Sequence, residues 1–226
     1  MRRSARSRGA HVAVRLDREL IVQAARRILA DEGLNKLTVR RIGRELGADP
    51  TAIYRHFRSK GELVIELADL AFLSIPWPDP ELPWQERLRA GLRAALALYR
   101  DNPDFAIALS HQSDDTPGLR RIAEMVLSIL YDAGLDPREA AVGYQLITNY
   151  AVGSGLFISQ LTLDDWGPNT IPAVRRAYGA LPPDEYPHAV ESAPYLFPEM
   201  DEVYDLGIDM IIEAIEQRVR AAKETA

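Results

Sequence analysis

The sequence predicts an all-α protein with two domains. Apolar residues recur at i, i+3 and i+4 spacing in one segment after another, and helix-capping residues stand at the segment ends. No stretch shows sustained β alternation, and four prolines interrupt the pattern at 76–83 (PWPDPELP). With 226 residues, 47% of them hydrophobic, the chain is long enough to bury a substantial core.

Three short helices are predicted near the N-terminus, each with its own start and stop signals. The capping residues are Asp17 and Gly33 for the first helix, Thr38 and Gly47 for the second, and Asp49 followed by Pro50 for the third. Only Gly47 and Ala48 separate the second helix from the cap of the third. Two helices joined by such a glycine-containing turn form a helix-turn-helix.

A fourth helix is predicted to begin at the capping box Ser59–Glu62 and to link the two domains. We place the domain boundary at the proline-rich break. The predicted parts are a disordered basic arm (1–15), a helix-turn-helix domain (16–75) and a helical domain (76–226). Helices beyond the break are expected at about 84–100, 104–111, 117–133, 137–162, 171–179 and 199–222, with 164–199 otherwise irregular.

The charge is divided unevenly along the chain. Residues 1–60 carry 15 Lys and Arg against 6 Asp and Glu, a net +9, whereas the remainder carries 12 against 27, a net −15. This asymmetry indicates a polyanion-binding part joined to a part with another role, although a solvated basic face would give the same count. No signal peptide or membrane-spanning run is found, so we expect a cytoplasmic protein.

The spacing of the third helix predicts which side chains face outward. Ile53 and Phe57 lie four residues apart and are expected to pack inward. If this helix enters the major groove of DNA, its opposite side meets base edges and phosphates. The side chains on that side, or just beyond it, are those of Thr51, Tyr54, Arg55, His56 and Lys60, with Arg40 near the start of the second helix.

Residues 38–63 (TVRRIGRELGADPTAIYRHFRSKGEL) resemble the DNA-binding domain of the TetR family of transcriptional repressors. The resemblance covers residues 17–70 and includes the opening Thr, the L-G-small turn, the Tyr-x-x-Phe and the Lys that opens the fourth helix. It implies a ligand-responsive regulator that binds a DNA operator. The DNA-binding residues that it implies are Thr38, Arg40, Pro50, Thr51, Tyr54, Arg55, His56 and Lys60.

The C-terminal part resembles the tetracycline-repressor-like branch, in which a long helix and the last helix form a dimer interface. Small residues on 137–162 (Ala140, Ala141, Gly143, Ala151, Gly153 and Gly155) would allow helices to approach closely, although they would equally suit packing within one protomer. The last helix, 199–222, has an apolar arc wider than one-sided packing requires. A homodimer through both helices would also match a palindromic operator.

The same resemblance implies a small-molecule pocket in the C-terminal domain. Polar groups among aromatic residues on apolar helices suit such a site, and they suit ordinary core and surface positions as well. The candidates are Phe105, His111, Tyr144, Gln145, Thr148 and Asn149, of which the last four share the long helix. Their character favours a small hydrophobic effector.

Catalytic patterns are weak in this sequence. The absence of cysteine excludes disulfides and thiolate chemistry. His111 with Asp114 and Asp115 has no second histidine at ligand spacing, and there is no nucleophile elbow or phosphate-binding loop, so we expect no enzyme, metal or cofactor. A DNA-binding protein without a ligand remains the alternative, followed by a helical enzyme.

Overall fold

The computed structural model describes residues 16–33, 36–102, 105, 116–163 and 170–225, and confirms the all-helical fold across them. None of the helices over these residues is long and apolar enough to cross a bilayer. The predicted arm at 1–15 and most of the predicted helix at 104–111 lie outside the described residues. The α-helices are α1 (Arg18–Glu32), α2 (Val39–Leu46), α3 (Pro50–Ile53), α4 (Lys60–Ser74), α5 (Trp84–Asp101), α6 (Pro117–Ala133), α7 (Pro137–Leu163), α8 (Thr170–Gly179), α9 (Pro187–Ser192) and α10 (Met200–Thr225).

The capping residues act as the sequence predicts. Asp17 accepts a hydrogen bond from the backbone N–H of Leu20 at 2.8 Å, and Thr38 accepts one from Arg41 at 3.1 Å. Gly47 ends α2 in the left-handed region, with φ of 61°. Glycine reaches this region without the steric cost that a Cβ atom imposes, so the chain turns sharply there.

Two elements differ from the sequence prediction. α3 is a single α-helical turn, which a further turn extends as far as His56. α9 lies in the segment expected to be irregular, and a 3₁₀ turn follows it at Ala193–Tyr195. Pro187 at the first position of α9 was the available signal, since proline is favoured there. α9 has no buried residue, so no apolar periodicity marks it.

By packing, the chain divides into two compact units, Met1–Leu63 and Val64–Ala226. The division falls inside α4, twelve residues before the boundary chosen from the prolines. Within the second unit, Phe72 of α4 makes an edge-to-face contact with Tyr99 of α5, which explains why the rest of α4 groups with the later helices. The predicted domain limits, 16–75 and 76–226, stay predictions.

The core of the second unit lies among α5, α6, α7 and α10. Leu92, Leu130, Ala140 and Ile208 are all buried in it. Tyr204 of α10 is also buried, and its hydroxyl donates a hydrogen bond to the Leu92 carbonyl at 3.0 Å. This bond ties α10 to α5 and satisfies the only polar atom of a large buried ring.

Candidate nucleic-acid interface and inner cavity

Close packing between α2 and the following turn shapes the first unit's helix-turn-helix. A Cβ atom at Gly43 would lie 2.9 Å from the Ala48 carbonyl oxygen and 3.4 Å from Cγ of Pro50. The Ala48 N–H also donates to the Gly43 carbonyl at 2.9 Å. Glycine at position 43 therefore allows α3 to begin directly against α2.

The inward side of α3 is as the spacing predicts. Ile53 is 1% exposed and Phe57 is 2% exposed, and both lie with Leu37, Ile42 and Leu63 in the core of the first unit. The Phe57 N–H donates to the Ile53 carbonyl at 3.0 Å, so the chain keeps helical geometry from Ile53 to Phe57. This buried side fixes the rotation of α3 about its axis.

The other side of α3 is open to solvent. Tyr54 is 56% exposed although it is an aromatic residue beside a core. Of the remaining residues predicted to bind DNA, Thr38, Arg40, Thr51, Arg55 and Lys60 are exposed, whereas Pro50 and His56 are half-buried. All eight lie in the first unit, and their roles in DNA binding stay predictions.

Neighbouring arginines of α2 have different surroundings. Arg41 donates from Nε and Nη2 to one oxygen of Glu32, at 2.9 and 2.6 Å, and from Nη1 to Glu45 at 2.9 Å. These bonds raise the pKa of Arg41, and the Arg41 guanidinium lowers the pKa of the Glu45 carboxyl. Arg40 has no ion pair within 4 Å among the described residues, so its charge remains available to an anion.

Asp49 holds both polar hydrogens of Thr51. One carboxylate oxygen, Oδ1, accepts from the Thr51 N–H at 2.7 Å and from the Thr51 hydroxyl at 2.6 Å. The hydroxyl bond and then the backbone bond lower the pKa of Asp49, with a further contribution from the charge of Arg55. Asp49 is therefore ionised at neutral pH.

Sequence reasoning missed the role of Arg18. Its guanidinium lies 4.2 Å from the centroid of the Phe57 ring, and Nη1 donates to the His56 carbonyl at 2.8 Å and to Glu62 at 3.2 Å. The Glu62 carboxylate also accepts from the Arg58 N–H at 2.6 Å, and the Ser59 hydroxyl accepts from the Glu62 N–H at 3.1 Å. Arg18 thus joins the start of α1 to the turn that follows α3 and to the first turn of α4.

An inner cavity of about 250 Å³ lies wholly within the second unit, and most of its lining is apolar. Phe72 of α4 and Ile75, just past the end of that helix, both line it. The residues with polar side chains in its described lining are Tyr99, Tyr144 and Thr148. Burial raises the pKa of Tyr99 to about 12, so this phenol stays protonated and can donate a hydrogen bond.

The structure separates the ligand-binding candidates of the long helix. Tyr144 and Thr148 line the inner cavity, whereas Gln145 and Asn149 are exposed and bonded to each other at 2.8 Å. Phe105 is buried, at 1% exposure, and is not among the cavity's lining residues. His111, with Asp114 and Asp115, lies outside the described residues. Within the described ones, no group of three His, Cys, Asp or Glu could hold a metal ion.

Two contacts fasten α4 to α6 beside the cavity. Asp69 accepts hydrogen bonds from the Gly118 N–H at 2.7 Å and from the Thr116 hydroxyl, at the N-terminus of α6. Arg121 of α6 donates to the Ile75 carbonyl at 2.9 Å, just past the end of α4. Both helices line the cavity, so its volume depends on their separation.

An apolar stripe is exposed on α7 and α10. Its members are Val142, Leu146, Phe157, Val203, Leu206 and Met210, each between 41% and 61% exposed. An open groove of about 670 Å³, lined by Asn149, Phe157, Phe197 and Val203 among others, adjoins these residues. Exposed apolar area of this kind is typical of an association surface.

The small residues of α7 do not all face the same way. Ala140, Ala151 and Gly155 are buried in the protomer, and a Cβ at Gly143 would lie 3.3 Å from Leu130 of α6. Of these small residues, only Ala141 and Gly153 are exposed. Packing within one protomer, the alternative left open by the sequence, therefore accounts for most of them.

The two helices of the stripe are held close together inside the protomer. The Tyr150 ring stacks on Tyr204 with centroids 5.2 Å apart, and its hydroxyl donates to the Tyr204 carbonyl at 2.9 Å. A Cβ at Gly207 would clash with the same ring. Glycine at position 207 thus allows α10 to lie against Tyr150 of α7.

Comparison with known proteins gives consistent matches to one family. The family model for bacterial regulatory proteins of the tetR family matches residues 21–67, and the model for the tetracyclin repressor-like C-terminal domain matches residues 77–219. The chain is 32% identical over 152 residues to the HTH-type transcriptional repressor DrrR1 of Streptomyces coeruleorubidus. That match covers 66% of this chain and 55% of the relative.

A second relative and a solved structure agree with this assignment. The class C tetracycline repressor protein of Escherichia coli is 30% identical over 149 residues, covering 63% of this chain and 66% of the relative. The chain therefore matches just over half of the length of DrrR1 and just under two thirds of the class C repressor. The crystal structure of Streptomyces coelicolor ActR, a TetR family protein, in complex with (S)-DNPA has a TM-score of 0.77 at 24% identity, covering 90% of this chain and 98% of that one.

The matches to the two family models support membership of a family, and not only a shared fold. The ActR structure shares the fold, at an identity too low to support more. The two family models together span both compact units, and the C-terminal one alone covers more than half of the chain. Members of this family regulate transcription and are not enzymes, in agreement with the sequence prediction. The chain belongs to the tetR family of bacterial regulatory proteins, in its tetracycline repressor-like branch.

Proposed function

We propose that this protein is a homodimeric transcriptional repressor that binds a palindromic operator and is released by a small hydrophobic effector. The observation that carries the proposal is the division of α3 between two sides. Ile53 of α3 and Phe57 just beyond it are buried, while the hydroxyl and cationic groups around Tyr54 are exposed. Such a side is suited to a polyanion.

DNA binding follows from the geometry of a helix-turn-helix. α3 enters the major groove, and α2 lies across the backbone. Arg40, Arg55 and Lys60 contact phosphates or base edges, and Tyr54 donates to a phosphate. Phosphate contacts supply most of the affinity, so operator binding weakens steeply as salt increases.

The inner cavity supports an uncharged effector. In its described part, an apolar wall carries only the hydroxyls of Tyr99, Tyr144 and Thr148, so a ligand with a carbonyl or hydroxyl group would be held by few hydrogen bonds. Occupancy would press on Phe72 of α4 and on Ile75 just past its end. Because α4 begins at Lys60, a displacement there would reach the DNA-binding segment.

The exposed stripe on α7 and α10 supports the homodimer. A second copy related by a two-fold axis would cover the same residues on both protomers. The resulting pair of α3 helices would read two half-sites about 34–36 Å apart, one turn of DNA. Both protein relatives are named as repressors, which favours repression over activation.

Selection of bound DNA from a random pool tests the proposal. We expect a palindromic sequence whose affinity falls steeply between about 50 and 200 mM salt. A small-molecule screen on that operator should then find hydrophobic compounds that release the protein. A flat salt dependence would contradict the DNA-binding proposal, and a saturating screen without release would favour the ligand-independent alternative.

A further inference from the structure

The hydroxyl of Thr51 has its single hydrogen committed. Oγ1 of Thr51 lies 2.6 Å from Oδ1 of Asp49, and the Thr51 N–H lies 2.7 Å from the same oxygen. An ionised carboxylate has no hydrogen to donate, so the hydrogen between the two side chains belongs to Thr51. Two donors from Thr51 therefore bond to the same carboxylate oxygen of Asp49.

This arrangement determines which hydrogen bonds the Thr51 hydroxyl can still make to a ligand. A hydroxyl group has one hydrogen and two lone pairs, so the exposed part of Oγ1 presents lone pairs only. The exposed Asp49 carboxylate likewise can only accept. An unconstrained threonine would bond to donor and acceptor bases alike, but this pair can bond only to donors.

Bases differ in this property at the edge that lines the major groove. Adenine N6 and cytosine N4 are amino donors, whereas guanine O6 and thymine O4 are keto acceptors. Every base pair carries one group of each kind, on opposite strands. An acceptor-only side chain therefore distinguishes the orientation of a base pair and leaves its identity unread.

Resting on the proposed function, we propose that Thr51 selects an amino base, A or C, on the strand that it contacts, and that Asp49 is the positioning residue that imposes this choice. Arg40 complements the pair, since its guanidinium can only donate, whether to a phosphate or to a base edge. The first unit would then present an acceptor on α3 and a donor on α2.

The test uses the full-length protein and the operator selected from the random pool. Each half-site position is changed to all four bases, and affinities are measured by fluorescence anisotropy for wild type, Thr51→Ser, Thr51→Val and Asp49→Ala. An unrelated duplex gives the non-specific affinity. At one position we expect wild type and Thr51→Ser to favour A or C over G or T by about two- to tenfold, the range of one hydrogen bond.

The variants distinguish the contribution of Thr51 to the base preference from that of Asp49. Thr51→Val keeps the shape and loses the acceptor, so the preference should fall below about twofold while non-specific affinity is unchanged. Asp49→Ala frees the hydroxyl to donate, so the preference should relax or turn toward G or T. Thermal melting checks that Asp49→Ala, which loses a helix cap, is folded, and Thr51→Val alone decides the matter if it is not.

Two results would overturn the inference. One is an unchanged base preference at every position in Thr51→Val. The other is a wild-type preference for G or T at the position that this variant affects. Both leave the operator and the proposed function standing, whereas recovery of no sequence from the random pool would refute the proposed function itself.

Discussion

The two compact units have similar interiors and very different surfaces. Both bury isoleucine, leucine and aromatic side chains, as Phe57 and Tyr204 illustrate. The first unit exposes hydroxyl and cationic groups around Tyr54, while the second exposes the apolar stripe around Leu146 and Met210. The cationic surface of the first unit is suited to a polyanion, whereas the apolar stripe of the second unit is suited to another apolar surface.

The largest effect is expected from Phe57→Ala. Removing this buried ring should lower the free energy of unfolding of the first unit by about 3–5 kcal/mol, because the ring leaves a cavity. Urea unfolding followed by circular dichroism measures this. Tyr54→Ala is the matched control, since it removes an exposed ring from the same turn: it should barely change stability but weaken DNA binding. Equal destabilisation by both variants would show that the assigned rotation of α3 is wrong.

The Leu146→Glu variant tests whether the apolar stripe of the second unit is the dimer interface. A carboxylate in the middle of the stripe would be buried without a partner on dimerisation, so the dimer dissociation constant should rise by about a hundredfold or more. Sedimentation velocity measures the mass of the particle in solution and so distinguishes a monomer from a dimer. Tyr131→Glu, at an exposed position on α6 outside the stripe, should remain dimeric. A dimeric Leu146→Glu protein would place the interface elsewhere.

A smaller effect distinguishes two adjacent arginines of the first unit. Arg40→Ala should lower operator affinity by about tenfold and reduce the salt dependence by about one phosphate contact. Arg41→Ala should leave the salt dependence unchanged and lower the melting temperature, since its guanidinium is bonded to Glu32 and Glu45. If both variants reduce the salt dependence alike, those ion pairs do not withhold Arg41 from DNA.

The smallest effect concerns alkaline pH and the cavity. The pKa of Tyr99 is raised to about 12, above the ordinary value near 10, so its protonated form stabilises the fold. That contribution is complete below pH 10 and is lost as pH rises toward 12, about 1 kcal/mol by pH 11. Tyr99→Phe should therefore flatten the decline in stability between pH 10 and 11. A decline as steep as in wild type would assign it to other groups, such as Tyr204, whose pKa is also raised by burial.

The helix-turn-helix could be predicted because its signals are local. Asp17, Thr38 and Asp49 each cap a helix within three residues of themselves, and Gly47 determines the turn through its own φ. The spacing of Ile53 and Phe57 then gives the inward side. The contacts of Arg18 with His56 and Glu62 span 38 and 44 residues, and no local pattern reveals them.

The cavity could be predicted only in part because it depends on distant packing. Tyr144 and Thr148 share one side of α7 with the lining, but Gln145 and Asn149, one position further along, lie about 100° around the helix and face solvent. Which side is buried is decided by α5 and α6, not by the residues of α7. Phe72 and Ile75 were not predicted to line the cavity, because they lie before the proline-rich break, on the DNA-binding side of the predicted domain boundary.

The continuity of α4 has a consequence for protein engineering. A hybrid regulator that joins the DNA-binding part of one family member to the sensing part of another must be spliced within this helix or close to it, between Lys60 and Ser74. Adding or deleting a single residue there would rotate everything beyond the junction by about 100° relative to what precedes it. Working hybrids should therefore preserve the length of α4 residue for residue, even where its sequence is exchanged.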